Sequence, residues 1–134
     1  MPTGAQSEFS AGGVVVRDGR CIVIVPTRRA ADGSESAADA ALREVREETG
    51  VQAALVEKLG DIRYWYRRGG RRIGKSVAFF LLRYVSGELE DHDHEVEHAE
   101  WMPLEEAARR LTYKGERDMA AAGGRVLSRR GKPQ

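Results

Sequence analysis

The chain has very little cysteine. Cys21 is the only one among 134 residues, so no disulfide can form within the chain. No apolar run approaches the roughly 20 residues of a membrane-spanning helix, and Met1 to Gln6 lack the basic and apolar regions of a secretory signal. These absences exclude a disulfide scaffold and a membrane-spanning protein. We expect a cytoplasmic protein whose thiol is buried in an apolar strand.

An excess of charge of one sign is absent as well. The chain has 22 Lys and Arg against 21 Asp and Glu, a net charge of +1 at pH 7. Because proteins that coat nucleic acid usually carry a strong basic excess, we expect no stable nucleic-acid complex. No repeat or linker divides the chain, and its length fits one domain that buries roughly two thirds of its unfolded surface. Both a monomer and a homodimer are compatible with this composition.

The most informative segment that is present carries three glutamates. In a helix, Glu44, Glu47 and Glu48 fall at positions i, i+3 and i+4 and share one face. Three neighbouring carboxylates repel each other unless a cation lies among them, and hard divalent cations prefer oxygen ligands of this kind. Arg43 lies one turn before Glu47 and can hold that carboxylate, while Val45 lies on an arc that can anchor the helix to a core. The spacing therefore predicts a helix that presents a metal site.

The two ends of this helix are specified too. Ser36 and Asp39 have the spacing of a capping box, and Gly50 stands where a left-handed residue ends a helix. A run of mixed charge is more often a solvated helix face than a metal site. The complete pattern, with both helix ends and the three carboxylates, makes that alternative less favourable.

The segment from Arg43 to Val51, REVREETGV, resembles the second half of the Nudix box. That signature reads G-x5-E-x7-R-E-U-x-E-E-x-G-U, with U a bulky apolar residue. Glu35 stands at the upstream glutamate position, and every fixed position from Glu35 onward matches. The resemblance extends from Ser10 to Leu104, which is most of the chain.

The resemblance implies the α/β/α sandwich of this family, an α/β fold with a mixed, partly antiparallel sheet between helices. It also implies hydrolysis, dependent on Mg²⁺ or on Mn²⁺ in its place, of a phosphoanhydride bond in a nucleoside diphosphate linked to another group. Dinucleoside polyphosphates are the first expectation for the substrate and nucleoside triphosphates the second. Glu44, Glu47 and Glu48 would bind metal, and Glu44 and Glu48 would act in catalysis with a loop glutamate. Glu95 is the first choice for that loop residue and Glu97 the second.

One departure from the signature lies upstream of Glu35. Arg29 stands where the signature has its glycine, and the connection from 26 to 34 is shorter than in relatives. A natural deletion, an engineered one and a segment missing from the numbered sequence all explain it, and the intact flanks favour the last. In the family this loop shapes the phosphate channel. The alternative function is therefore a Nudix-fold nucleotide-binding or regulatory domain with impaired catalysis.

Cations and aromatic residues outside the helix are candidates for substrate binding. Guanidinium and ammonium groups bind phosphate, and such groups are concentrated at one hairpin and at the short loop: Arg28, Arg29, Arg71, Arg72 and Lys75. A soluble hairpin tip is the more common explanation of the hairpin cations. Tyr64 and Tyr66 share one face of a predicted strand and can stack on a nucleobase, although aromatic residues on strands more often belong to the core.

The remaining pattern predicts a hairpin, a long strand pair and two C-terminal helices. Strands are predicted at 14–16 and 21–25 around an Asp18-Gly19 turn, at 51–66 with a bend at Gly60-Asp61, at 76–84 and at 99–101. Helices are predicted at 37–48, 104–111 and 116–122, the last ended by Gly123-Gly124. We expect one domain from 8 to 122, with flexible ends at 1–7 and 123–134.

Overall fold

The computed structural model describes residues 5–25, 35–89 and 100–131. The chain opens with an antiparallel hairpin of β1 (Ala5–Arg17) and β2 (Arg20–Ile24). Asp18 and Gly19 form its two-residue turn with φ of 50° and 80°. Two consecutive positive φ angles are those of a type I′ turn, so the predicted hairpin is confirmed.

The glutamate-rich helix, α1, spans Ala37–Thr49. Its first turn is capped by Ser36, whose Oγ accepts a hydrogen bond of 3.1 Å from the backbone N–H of Asp39. Its C-terminal end is closed by Gly50 in the left-handed region, with φ of 81°, and the N–H of this glycine donates to the carbonyl of Arg46. The helix and both of its predicted ends are confirmed.

Two long strands, β3 (Gln52–Arg68) and β4 (Arg71–Ser86), form the second hairpin. The predicted bend in β3 is confirmed at Gly60, which has φ of 155° and lies at a shift in strand register. The middle of β4 is buried from Phe79 to Leu82. This burial confirms the prediction, from its unbroken apolar run, that the strand is covered on both faces.

The C-terminal third differs from the sequence-based prediction. The last strand, β5, is Met102–Pro103 rather than 99–101, and it pairs with β2. Helix α2 spans Leu104–Arg110 and helix α3 spans Lys114–Arg130. The predicted end of α3 at Gly123-Gly124 is wrong. Glycine disfavours a helix by only about 1 kcal/mol, and packing against the sheet outweighs that cost.

The five strands form one mixed sheet in the order β3-β4-β1-β2-β5. Only β1 and β4 pair in parallel among these strands, and the other neighbours are antiparallel. One face of the sheet packs on α1 through a cluster that includes Val15, Val45 and Phe80. The other face packs on α2 and α3 through a cluster that includes Val14, Ala107 and Leu127. The α/β/α sandwich predicted from the sequence is confirmed.

Cys21 belongs to the cluster under α2 and α3 and is fully buried. Burial raises the pKa of its thiol to about 12, since the charged form would lose its solvation. The predicted structural role of this cysteine is therefore confirmed. Within the described part of the chain, no helix combines the length and apolarity that crossing a membrane requires.

Candidate active site

The carboxylates of the α1 region are organised by Arg43. Two nitrogens of its guanidinium donate to Glu35: Nη2 lies 2.7 Å and Nε 3.0 Å from Oε1, and Nε also lies 3.2 Å from Oε2. Its Nη1 contacts Oε1 of Glu44 at 3.0 Å and Oε1 of Glu47 at 3.1 Å. These contacts raise the pKa of Arg43, the hydrogen bond to Glu35 contributing most. One cation therefore connects three of the acidic residues of the predicted signature.

Burial differs along the acidic face of α1. The Glu44 side chain is 6% exposed, whereas that of Glu47 is 46% exposed. Glu48 is half-buried and has a polar contact of its own. The carboxylate chemistry of this face fits a hard divalent cation. Among the described residues, no three acidic, histidine or cysteine side chains already converge on one point as a formed metal site.

Several predicted site residues lie outside the described residues. These are Arg28 and Arg29 in the short loop and the candidate bases Glu95 and Glu97. Their assignments stay predictions.

Tyr64, Tyr66 and Lys75 are brought together on the face of the sheet that packs on α3. They line a cavity of about 280 Å³ whose other walls are Val25, Tyr113 and Glu116. The Tyr64 hydroxyl is buried there, and the described residues offer it no hydrogen-bond partner. The Tyr66 hydroxyl donates to Oε1 of buried Glu8 at 2.7 Å. Three of the predicted substrate-binding residues thus share one cavity.

Two groups in this cavity have altered acidity. Burial raises the pKa of Glu116, although a hydrogen bond from the backbone N–H of Tyr113 and the charge of Arg117 oppose the change. Burial also raises the pKa of Tyr64, and the nearby charge of Glu116 adds to the effect. The end of the cavity at α3 therefore combines a hydroxyl that no described residue bonds with a carboxyl group that is held closer to its neutral form.

The cations of the β3–β4 hairpin divide between the two faces of the sheet. Side chains alternate along a strand, and Lys75 pairs with Tyr64 on the cavity face, which Arg71 shares. Arg72 points to the opposite face, where its Cζ lies 4.1 Å from the centre of the Trp65 ring. The structure therefore does not bring Arg72 to the cavity, and its assignment to phosphate binding stays a prediction.

A larger cavity of about 530 Å³ lies between α2, α3 and the β1–β2 turn. It is lined mainly by small and apolar residues, and none of the predicted site residues belongs to it. If size were the only criterion, this larger cavity would be the candidate site. We assign the site to the smaller one because polar groups with altered acidity converge there.

Glu8 and Glu116 were missed by the sequence-based reasoning. Glu8 is 7% exposed and binds both Tyr66 and Arg68, with the Arg68 Nη2 at 2.6 Å. Glu8 lies in the N-terminal part of β1, where no strand was predicted. Glu116 stands three residues after the helix cap position of Tyr113, but no local pattern indicates which cavity it borders.

Comparisons with known proteins give a consistent family. A family model described as the NUDIX domain matches residues 12–122. A relative described as a mutator protein, MutT4 of Mycobacterium tuberculosis, is 38% identical over 117 residues, which cover 87% of this chain and 47% of the relative. The chain spans about half the length, or less, of the curated relatives that it matches.

Solved structures share the fold at low sequence identity. A MutT NUDIX hydrolase from Burkholderia pseudomallei has a TM-score of 0.66 and 22% identity, over 87% of this chain and 98% of that one. The C. elegans Ap4A hydrolase, solved as a binary complex, has a TM-score of 0.54 and 16% identity, over 92% and 98% of the two chains. At these identities the likeness concerns the fold.

Proposed function

The chain belongs to the Nudix family, and on that premise we propose that it hydrolyses a phosphoanhydride bond in a nucleoside diphosphate linked to another group. The observation that carries the proposal is the arrangement of carboxylates on α1. Arg43 holds Glu35, Glu44 and Glu47 in fixed positions at one side of a helix that the core anchors. A rigid platform of this kind suits a reaction in which positioning supplies most of the catalysis.

We assign Glu44, Glu47 and Glu48 to a divalent cation, Mg²⁺ or Mn²⁺. When bound, such a cation neutralises phosphate charge and lowers the pKa of a water molecule. The role of Arg43 is to fix the Glu44 and Glu47 side chains, since its guanidinium contacts both. Glu95, or Glu97 in its place, is proposed to accept the proton of the attacking water, with Glu44 and Glu48 acting beside it.

The cavity under α3 is proposed to hold the nucleoside. Its volume of about 280 Å³ suits one base and sugar rather than a larger group. Tyr64 and Tyr66 offer aromatic surface to a base, and the Tyr64 hydroxyl, which has no hydrogen-bond partner among the described residues, can bond to it. Lys75 and Arg71 lie on the same sheet face and are proposed to contact phosphate, together with Arg28 and Arg29. Arg72, on the opposite face, is left out of this proposal.

Two substrate classes follow from this proposal. A dinucleoside polyphosphate is the first, and one structural neighbour bears the name Ap4A hydrolase. A nucleoside triphosphate is the second, and relatives are named mutator protein and 8-oxo-(d)GTP phosphatase. These names describe those proteins, and the assay below distinguishes the two classes for this chain.

The test compares wild type with Glu48→Gln for phosphate release from diadenosine polyphosphates and from nucleoside triphosphates in Mg²⁺. We expect the variant to lose roughly 100-fold or more of the turnover. Its melting temperature without metal should hold or rise, because one of three neighbouring negative charges is removed. Glu105→Gln, an exposed glutamate on α2, is the matched control. Equal turnover of wild type and Glu48→Gln would contradict the metal-site assignment.

A second candidate function is a Nudix-fold domain that binds nucleotide without cleaving it. Arg29 in place of the signature glycine, together with the short 26–34 connection, favours it. Calorimetry with the same nucleotides distinguishes the two functions. Binding to wild type with no turnover in Mg²⁺ or Mn²⁺ would support the binding domain and overturn the hydrolase.

A further inference from the structure

The sheet face that α1 covers continues beyond the helix as an open surface. Ala11 and Ala78 form a cross-strand pair that packs against α1. The next row on this face pairs Phe9 with Ser76, and Ser76 with Arg63 on β3. At about 3.3 Å per residue this row lies roughly 7 Å beyond the covered one. Phe9 is 67% exposed there, so the described residues leave the face open from this row onward.

The centre of the open surface is Trp65, which is 47% exposed. The guanidinium carbons of Arg63 and Arg72 lie 4.8 and 4.1 Å from the centre of its ring. Arg63 is fixed further by a hydrogen bond of 3.1 Å from its Nη1 to Oγ of Ser76. Two guanidinium groups are therefore held on an aromatic ring before any ligand arrives, which lowers the entropy lost on binding phosphate.

Glycine at position 74 makes this arrangement fit. A Cβ atom on Gly74 would lie 2.8 Å from Cζ3 of Trp65 and 3.2 Å from Nη2 of Arg63. Both side chains thus rest directly on the β4 backbone. The close approach of these two side chains therefore depends on glycine at position 74.

Three cations share this surface. Strand alternation and the cross-strand pairs place Arg63, Arg67 and Arg72 on the face of Trp65, whereas the other cations of the hairpin lie on the cavity face. No Asp or Glu occurs between Ile62 and Gly87. The near-zero net charge of the whole chain hides this local excess. Two copies of this face would repel each other, because both carry positive charge. The charge therefore favours an anionic partner over self-association.

We propose that this open sheet face, defined by Phe9, Arg63, Trp65 and Arg72, binds single-stranded nucleic acid. The exposed Phe9 ring on β1 offers a stacking surface to an unpaired base, and Arg63 and Arg72, held against Trp65 on β3, offer contacts to the phosphates. The face lies on the opposite side of the sheet from the cavity of Tyr64 and Tyr66. The proposal is therefore separate from nucleotide hydrolysis, and its failure would leave the proposed function intact.

The test is fluorescence anisotropy of a labelled ten-nucleotide oligo(U) with the intact chain, in EDTA so that no hydrolysis occurs. Phe9→Ala should raise the Kd by about 5-fold or more, the loss of one stacked base. Phe9→Leu, which stays apolar, should raise it similarly, whereas Phe9→Tyr should retain binding. Arg63→Ala should lower the dependence of log K on log salt by about 0.7. Retained thermal melting of each variant separates a binding loss from misfolding.

The matched controls are Leu55→Ala, which removes another exposed apolar side chain, and Arg109→Ala, which removes an exposed cation on α2. Both should bind as wild type does. An unchanged Kd in Phe9→Ala would overturn the proposal, as would an absence of wild-type binding. So would binding of anionic lipid vesicles without oligo(U). A dimer that Phe9→Ala dissociates in sedimentation, without oligo(U) binding, would assign the face to self-association instead.

Discussion

Arg43 shows how much a single side chain contributes to the site. It connects Glu35, which precedes α1, to Glu44 and Glu47 on the helix, and it is 24% exposed. Half-buried cations of this kind compensate charges that the fold removes from water. In sequence Arg43 belongs to a mixed charge run, but its contacts make it the centre of the acidic face.

Arg43→Ala is expected to destabilise the protein by about 2 kcal/mol, because the buried Glu44 carboxylate loses its cation. Arg43→Lys keeps the charge without the two-point contact to Glu35 and should cost about 1 kcal/mol. Urea unfolding measures both through the midpoint, with the slope unchanged. If Arg43→Ala loses less than about 0.5 kcal/mol, the change is that of an ordinary surface substitution, and the role of Arg43 in compensating Glu44 is contradicted.

Glu116 should make stability depend on pH. Burial raises its folded-state pKa above the ordinary value of 4.5, so the unfolded chain loses this proton first as pH rises. The folded state therefore loses stability from pH 4.5 upward, until the folded carboxyl also ionises. Glu116→Gln removes this loss, because glutamine does not titrate.

The stability of Glu116→Gln relative to wild type should accordingly increase between pH 4 and pH 7. Urea unfolding at pH 4, 5.5 and 7 measures the difference. Glu105→Gln on α2 provides a control for the loss of an exposed carboxylate. A difference between Glu116→Gln and wild type that stays constant over this range would contradict the raised pKa.

At the scale of elements, α3 shows why a glycine pair need not end a helix. A Cβ atom on Gly123 would lie 3.3 Å from Cδ1 of Leu81, so the position is close to the sheet. A Cβ atom on Gly124 would lie 3.6 Å from Cδ2 of Leu104, an ordinary contact. The first glycine permits close packing of helix on sheet, and the second has no such role.

This difference predicts opposite responses of two neighbouring positions. Gly124→Ala should stabilise the protein by about 0.5–1 kcal/mol, the usual gain in a helix interior. Gly123→Ala should gain less or lose stability, because Leu81 must move. Thermal unfolding of the two variants side by side gives the comparison. Equal gains would show that both positions are unconstrained.

At the scale of the molecule, the sheet needs a cover on both faces. The C-terminal half of α3 contributes Val126 and Leu127 to the cluster under α2 and α3. It is also tied to β3 by ion pairs of 2.7 and 2.8 Å from Arg129 and Arg130 to Glu57. These pairs lower the pKa of Glu57, chiefly through the hydrogen bond from Arg130. The family match ends at 122, yet the core continues to this half of the helix.

A chain ended after residue 122 should therefore be strongly destabilised. Losing the burial of Val126 and Leu127 alone costs roughly 3–6 kcal/mol, a large part of the 5–15 kcal/mol of a typical domain. A chain ended after Gly131 is the control and should unfold as wild type does. Urea unfolding and dye binding to exposed apolar surface measure the effect. If the chain ended after residue 122 is as stable as wild type, the domain boundary predicted at 122 is correct.

The sequence by itself determined the features whose causes are local. The α1 helix follows from its cap at Ser36, its acidic face and Gly50, and the first hairpin follows from two residues that accept positive φ. The resemblance carried by Glu35 and the α1 string gave the family and the fold. These inferences succeeded because a cap or a turn depends on neighbours within a few positions.

The tertiary structure alone decided which distant side chains meet. Glu8 joins Tyr66 across the sheet, and Glu116 on helix α3 faces Tyr64 on strand β3. Strand alternation separated Lys75 from Arg72, although the two are three residues apart. Helix α3 continues past Gly123 and Gly124 because it packs against the sheet. Contacts between elements depend on register and helix placement, which are set by the burial of the whole core, and no local pattern in the sequence records them.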